Sequence, residues 1–274
     1  MSQGVSNDEI IQSHYKIQAE KHKDSSTSTM EDIIIRQKEL ESIFSFFNLR
    51  EVRVVASKVL EIGCGNGYTL QQLAEAYPHA SFHGLDFSHD LLAIAEKRNI
   101  SNGSFSQGDV RKLAFDDASV DVVYTERCLI NLLSWEDQQK GLAEIHRVLK
   151  KGGFYFMVES FTDGFDNLNK ARNELGLGSI PVAHHNLYFN KESFKEFVKP
   201  LFSIVNPSSL GNIENTALQS NFLSSHYFSA RVLHPLLTKG DPNLKNTELV
   251  KFFSFLPPSG NYAPIQAHIL QKKH

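Results

Sequence analysis

Hydrophobic and polar positions change rhythm three times along the chain. At the start, Ser6-Asn7-Asp8-Glu9 has the form of a capping box, and Ile10, Tyr15 and Ala19 behind it predict a first helix. A polar stretch, Lys21 to Thr29, follows. Ser28 with Glu31 repeats the box and predicts a second helix through Ile34, Leu40, Ile43 and Phe47. From Lys58 onward, short apolar runs alternate with amphipathic stretches. The runs at 58–62, 81–85, 104–107, 121–125 and 154–158 read as strands. Between them lie helical stripes: Leu70, Leu73, Ala74 and Tyr77 up to Pro78; Leu91, Leu92, Ile94 and Ala95 behind Ser88; Leu142, Ile145, His146 and Leu149 behind Ser134. Lys150-Lys151-Gly152-Gly153 breaks the last stripe. Such alternation means βαβ units and a parallel sheet. After Ser160 the rhythm loosens. Residues 163–190 read as an inserted helix and irregular loop, 191–198 as a helix and 202–205 as a sixth strand. A further helix is expected over 221–237, ending near His234-Pro235; polar loops follow at 240–246 and 256–260, then a last strand at 265–270. Residues 207–264 are therefore an excursion between the two final strands.

Bulk properties narrow the classes. A length of 274 residues suits one large α/β domain or one domain with insertions. A net charge of -3 argues against a long nucleic-acid footprint. Cys64 and Cys128 are the two cysteines, with no ligand spacing between them, so neither a zinc site nor a disulfide framework is expected. No apolar run reaches the roughly 20 residues of a membrane span, and the N-terminus lacks a signal-peptide core. These features point to the cytoplasm.

The candidate chemistry starts at Val59-Leu60-Glu61-Ile62-Gly63-Cys64-Gly65-Asn66-Gly67-Tyr68, an apolar strand running into three alternate glycines and then a helix. Glycines there let the backbone turn sharply and come close to a ligand at the open helix end. A P-loop is excluded because no G-K-[ST] follows. A dinucleotide loop, as in an NAD(P)-dependent oxidoreductase or epimerase, needs glycine where Tyr68 stands. In a doubly wound sheet, ligand groups gather at the carboxyl ends of strands. Those ends here are Gly63 to Gly67, Asp86 with Phe87, Asp109 with Val110, and Glu126 with Arg127. Asp86 follows the glycines by about 20 residues, the distance at which a carboxylate takes ribose hydroxyls.

The acidic-x-G-x-G-x-G form, Asp86, Gly108-Asp109-Val110, Asp121 to Glu126 and the run Glu144 to Gly153 resemble, in order, the motifs of class I S-adenosylmethionine-dependent methyltransferases. The resemblance implies a Rossmann-like, doubly wound α/β sheet of seven strands with the last one antiparallel. It implies S-adenosyl-L-methionine as cofactor, with Glu61, Gly63, Cys64, Gly65, Asn66 and Gly67 around its amino-acid tail. Asp86 and Phe87 would take the ribose, Asp109 and Val110 the adenine, and Glu126 and Arg127 the cofactor or acceptor. Residues 1–50 would form a helical arm or lid, with Tyr15 and Thr29 as contacts. Residues 51–274 would form the methyltransferase domain, with acceptor-side insertions at 161–190 and 207–264. A docking arm without ligand contacts and a cofactor-binding protein without turnover are the alternatives.

The acceptor is read from Ile180 to Phe189, a stretch offering two imidazoles, an amide and a phenol. His184 or His185 is the candidate general base, imidazole being suited to proton transfer near neutral pH; Glu159, at the fifth strand's end, is the other candidate. The arm, the H-N-L-Y-F loop and the helical excursion are similar to bacterial methyltransferases of sugar and surface-polysaccharide biosynthesis. That implies a small or medium polar acceptor methylated on oxygen or nitrogen. Thr125-Glu126-Arg127-Cys128 departs from the N-P-P-[YF] motif of nucleobase amino methylation, so nucleic acid is not the expected partner.

Overall fold

The computed structural model describes residues 6–28, 30–210, 215–239 and 247–273, apart from the side chains of Val54 and Val55. Thr29 and the expected polar loop at 240–246 lie outside the described residues. Strands β1 (Lys58–Ile62), β2 (Ser81–Asp86), β3 (Gly103–Gln107), β4 (Val120–Glu126), β5 (Leu149–Ser160), β6 (Phe202–Val205) and β7 (Ile265–Lys272) form one sheet in the order β3-β2-β1-β4-β5-β7-β6. The first five are parallel, and β7 runs antiparallel between β5 and β6. The winding reverses at β1, which has β2 on one side and β4 on the other. Reversal leaves a crevice at the carboxyl ends of these strands, because the connections on either side lead to opposite faces.

The helices are α1 (Asn7–His22), α2 (Ile33–Phe47), α3 (Arg50–Val55), α4 (Tyr68–Ala76), α5 (His89–Ala95), α6 (Trp135–Val148), α7 (Thr162–Glu174), α8 (Lys191–Val198), α9 (Ser224–Phe228), α10 (His234–Leu237) and α11 (Glu248–Ser254). They cover both sheet faces. On one, Ile35, Ile43, Phe46 and Phe47 of α2 share a core with Phe82, Tyr124 and Phe156. On the other, Leu142 and Ile145 of α6 and Phe194 of α8 meet Val123, Tyr155 and Met157. Phe46 stacks on Phe156 with centroids 4.6 Å apart. Full burial of such side chains is worth about 1.5–3 kcal/mol each, so α2 is anchored to the sheet.

Several expectations need correction. The Ser6–Glu9 capping box forms, with Glu9 accepting from Ser6 N–H at 2.7 Å. The second box does not. Asp32 caps α2, its Oδ1 accepting from Ile34 and Ile35 N–H at 3.2 and 3.3 Å, while Ser28 turns inward and is buried. Asp32 wins because it directly abuts the apolar run Ile33-Ile34-Ile35. β5 begins at Leu149, so Lys150 to Gly153 belong to the strand rather than to a turn before it. A left-handed Gly152 and a register shift against Val120 and Val122 absorb the irregularity. The helix expected over 221–237 starts at Ser224 and passes Pro235 to end at Leu237. A π turn, Ser229–Leu233, ends just before His234-Pro235 and re-spaces the ladder where the proline N–H is missing. The sequence reading has no helix at Arg50–Val55 or Glu248–Ser254.

Candidate active site

The crevice at the switch point is a cavity of about 1060 Å³ including its mouth, large enough for a nucleoside-sized ligand with an acceptor beside it. Its floor is the glycine loop. Gly63, Gly65 and Gly67 are all left-handed, with φ of 78°, 54° and 73°. At Gly63 a side chain would also collide with Cys128, since an added Cβ would lie 2.6 Å from that residue's Cβ. Gly63 and Cys64 N–H both donate to Leu85 O, at 2.7 and 3.1 Å, which ties the loop to the end of β2.

Asp86 sits at that end. Its Oδ2 accepts from Gly65 N–H at 2.6 Å and its Oδ1 from Ser88 N–H at 2.8 Å. Burial raises its pKa, while these N–H groups pull it down. Each oxygen keeps a second lone pair for a ligand. Phe87 and Val110 line the same wall. Asp109 is gripped by Arg111, whose Nε lies 3.0 and 2.9 Å from its two oxygens and whose Nη2 donates at 2.6 Å. Arg111 also reaches Asp8 of α1 at 2.9 Å and Asp137 of α6 at 3.3 Å.

At the β4 end, four buried charges interlock. Arg36 of α2 donates to Glu126 and to the Thr69 hydroxyl, and its Nε donates to Ser26 O at 3.0 Å. Arg127 donates through Nε to Glu39 at 2.9 Å and contacts Glu126 at 3.4 Å. Burial would raise Glu126, but Arg36 and then Arg127 hold its carboxyl well below the ordinary range; Glu39 is pushed up by burial against the pull of Arg127. Glu61 lies in β1, 2% exposed, beside the Tyr124 hydroxyl. Its Oε2 is buried on the cavity wall with no hydrogen-bond partner among the described residues. Burial, then the charge of Glu126, drives its pKa far up. A buried carboxyl oxygen without a partner costs free energy that a ligand ammonium would recover.

The arm forms the roof. Ile11, Gln12 and Tyr15 of α1 and Ser26 and Ser28 after it line the cavity. Asn66 donates to Lys23 O and Ser25 O, both at 2.9 Å, and Arg98 bridges Asn66 O at 2.6 Å to Asp24 O at 2.8 Å. The Tyr15 hydroxyl donates to Asn131 Oδ1 at 2.7 Å, and Asn131 Nδ2 donates on to His185 O at 3.1 Å and Asn186 Oδ1 at 3.0 Å.

Twelve of the thirteen residues expected around the cofactor line one cavity, Glu61, Gly63, Cys64, Gly65, Asn66, Asp86, Phe87, Asp109, Val110, Glu126, Arg127 and Tyr15, while Gly67 is off the lining as the N-cap of α4. The three residues expected to be catalytic do not reach it. His184 is exposed, and His185 is stacked on His14 of α1, centroids 3.7 Å apart, outside the lining. Burial, with His14 and His184 nearby, lowers His185 to about 4. Glu159 is fully buried beneath the turn after β4, accepting from Cys128, Leu129 and Ile130 N–H at 3.0, 3.0 and 3.2 Å. It closes that turn's open amide end, and burial raises it to about 7.

Arg36, Glu39, Arg111 and Asn131 were not singled out by sequence. Arg36 and Glu39 fall on the core-facing stripe of α2 at positions where the pattern asks for apolar side chains, and that was their one available signal. Arg111 and Asn131 carried none.

Comparison with known proteins adds the following. Residues 59–153 match the model of a family described as a methyltransferase domain. The demethylmenaquinone methyltransferase of Chlorobaculum tepidum is 36% identical over 102 residues, covering 37% of this chain and 40% of that protein. The malonyl-[acyl-carrier protein] O-methyltransferase of Bacillus cytotoxicus is 26% identical over 139 residues, 50% of this chain and 47% of that protein. The chain thus spans less than half the length of these relatives. The structure of a TehB-like SAM-dependent methyltransferase from Corynebacterium glutamicum superposes with a TM-score of 0.54 at 15% identity, over 95% of this chain and 99% of that one, a likeness of fold.

Proposed function

The core of this chain belongs to the class I S-adenosylmethionine-dependent methyltransferases, and from that premise we propose that it transfers a methyl group to an oxygen or nitrogen of a small or medium acceptor. When bound, S-adenosylmethionine supplies a methyl group on a sulfonium, open to attack by an acceptor lone pair. The chain's own part is to bind and orient. The observation that carries the reading is the buried, unpartnered Glu61 Oε2 in a cavity whose other walls are a left-handed glycine loop and the strand-end carboxylates Asp86 and Asp109. Glu61 would receive the amino group of the cofactor's tail and Arg36, at the amide end of α4, its carboxylate. Asp86 would hold the ribose hydroxyls and Asp109 with Val110 the adenine. The α1 arm acts as a lid, since it closes the cavity through Tyr15, Asp8 and the Lys23 to Ser25 backbone.

The acceptor is a small molecule in this reading, with the sugar-type acceptor implied by the arm and loop layout as one member of the class. The relatives named above are a demethylmenaquinone methyltransferase and a malonyl-[acyl-carrier protein] O-methyltransferase, so acceptors other than sugars belong to the proposed class as well. Two free thiols, Cys64 and Cys128, support a reducing, cytoplasmic setting. Among the described residues, no helix is long and apolar enough to cross a membrane.

Thermal unfolding with S-adenosylmethionine, S-adenosylhomocysteine and NAD side by side tests the assignment. Saturating cofactor near a hundredfold its Kd should stabilise by about 2.7 kcal/mol, which is roughly 5–10 °C for a chain of this size. Asp86→Ala and Arg36→Ala should each remove most of the shift. A response to NAD alone sinks the proposal.

A further inference from the structure

Among the described residues, the β4 end of the cavity holds two guanidinium groups, Arg36 and Arg127, and the carboxyl groups beside them, Glu126 and Glu39, are engaged by those guanidinium groups. Glu126 accepts from Arg36, from the Thr69 hydroxyl at 3.1 Å and from Arg127 at 3.4 Å. Tyr15 gives its proton to Asn131 and stays protonated, since burial raises its pKa. Asp86 and Asp109, toward the other end, are held by backbone N–H groups and by Arg111. Among the described residues no imidazole lines the cavity, and Glu159 lies off its wall with both oxygens engaged. Glu61, whose Oε2 lacks a hydrogen-bond partner among the described residues, sits in β1 under the glycine loop, where it would receive the cofactor's amino group.

Arg127 itself is unusual. Its φ of 53° places a long side chain in the left-handed region, a strained conformation that persists where the surrounding structure fixes it. The buried carboxyl group of Glu39, on α2, accepts from the Arg127 guanidinium, and Arg36 stands against the same Glu126. Ile11 and Leu132 add apolar surface to the cavity wall.

We infer that the acceptor is an organic acid methylated on its carboxylate oxygen, with Arg127 as the residue that receives the carboxylate. The inference rests on the methyl-transfer reading and narrows it. The step balances without a base: a carboxylate lone pair forms the new C–O bond as the methyl C–S bond breaks, and that bond's electron pair stays on sulfur. A methyl ester and a neutral thioether result, and no proton moves. An alcohol acceptor would have to lose a proton to a group the cavity wall does not offer. Glu39 acts as a positioning residue through Arg127.

The test uses the full chain. First, protein saturated with S-adenosylhomocysteine is titrated calorimetrically with decanoate, and with decanol and decylamine as controls. Decanoate alone should bind, and Arg127→Lys, which keeps the charge but loses the fork, should weaken it about 10- to 100-fold with S-adenosylhomocysteine affinity unchanged. A doubly substituted Arg127→Met/Glu39→Gln chain, which leaves no unpaired buried charge, should lose decanoate binding while still binding S-adenosylhomocysteine. Second, methyl-tritiated S-adenosylmethionine is offered with carboxylic acids from butyrate to palmitate, hexoses, amines and hydroquinones. Esters release volatile methanol in mild alkali. Alkali-labile label from an acid supports the inference. Alkali-stable label from a hexose, amine or hydroquinone, or no carboxylate binding to the loaded protein, overturns it. Failure to bind S-adenosylhomocysteine at all instead overturns the methyl-transfer reading.

Discussion

At the scale of single residues, two glycines with nearly the same backbone separate strain from crowding. Gly63 has φ 78° with Cys128 where a side chain would go, whereas Gly152 has φ 73° with nothing within 4 Å. Forcing an L-residue into the left-handed region costs about 1–2 kcal/mol, and overpacking adds about 1–3 kcal/mol. Gly152→Ala should therefore lose about 1–2 kcal/mol in urea unfolding, and Gly63→Ala about 2–5 kcal/mol together with most of its cofactor affinity. Equal losses would show that the Cys128 contact relaxes at no cost. Gly63 was legible in the sequence because glycine spacing is local chemistry. Arg36 was not, because its partner Glu126 is 90 positions away.

At the scale of elements, the arm is latched by groups of different chemistry. Asp8 and Tyr15 use charge and a hydroxyl, while His14 and His185 stack with their planes 19° apart. Burial first, then His184, lowers His14; His185 is lowered for the same reasons, with His14 and His184 adding to it. A base whose docked pKa is depressed stabilises docking fully above its free value. That contribution is lost as pH falls toward the docked one. Docking of α1 should therefore weaken between about pH 6.5 and the value of about 4 for His185. Limited proteolysis of residues 7–22 across that range should show cleavage rising on acidification, and His185→Phe, which keeps the stack but cannot titrate, should flatten the rise. An unchanged profile in that variant would place the sensitivity in His14 or in Asp8–Arg111. A second polar chain, Ser254–His226–Asp32, has the look of a hydrolytic triad, with contacts of 2.8 and 3.1 Å. Ser254 instead donates to Val250 O at 2.6 Å and is 1% exposed, so the chain pins α11 to the start of α2.

At the scale of the whole molecule, the sheet's central burial shows in its pH response. Glu159 is fully buried with its carboxyl raised to about 7. A raised acid holds its proton in the folded chain after the unfolded chain has released it. Its contribution is complete below the unfolded value, about 4.3, and is lost as pH rises through 7. The stability lost across that window is of order 2–3 kcal/mol. Glu159→Gln should flatten the decline in melting temperature between pH 5 and 8 even if it lowers that temperature throughout. A slope as steep as the parent's would assign the effect to the remaining raised buried acids, Glu39, Glu61 and Asp86.

The sequence by itself determined what local periodicity and strand-end chemistry can carry. Apolar runs and capped amphipathic stretches specified seven strands and most helices, since burial of one face is written in the residues that must be buried. Glycine spacing and the carboxylates Asp86 and Asp109 marked the cofactor wall for the same reason, each lying at the end of its own strand. Only the tertiary structure decided which polar groups face the cavity's other end. His184, His185 and Glu159 have suitable chemistry yet lie off the cavity wall: backbone N–H groups hold Glu159, a stacked ring holds His185, and His184 is exposed. Arg36 and Glu39 stand on the core-facing stripe of α2 and Arg111 on the turn after β3, but the partners that hold them, Glu126, Arg127 and Asp8, lie on distant segments. Pairing of buried charges is a long-range condition, and no window along the chain contains it.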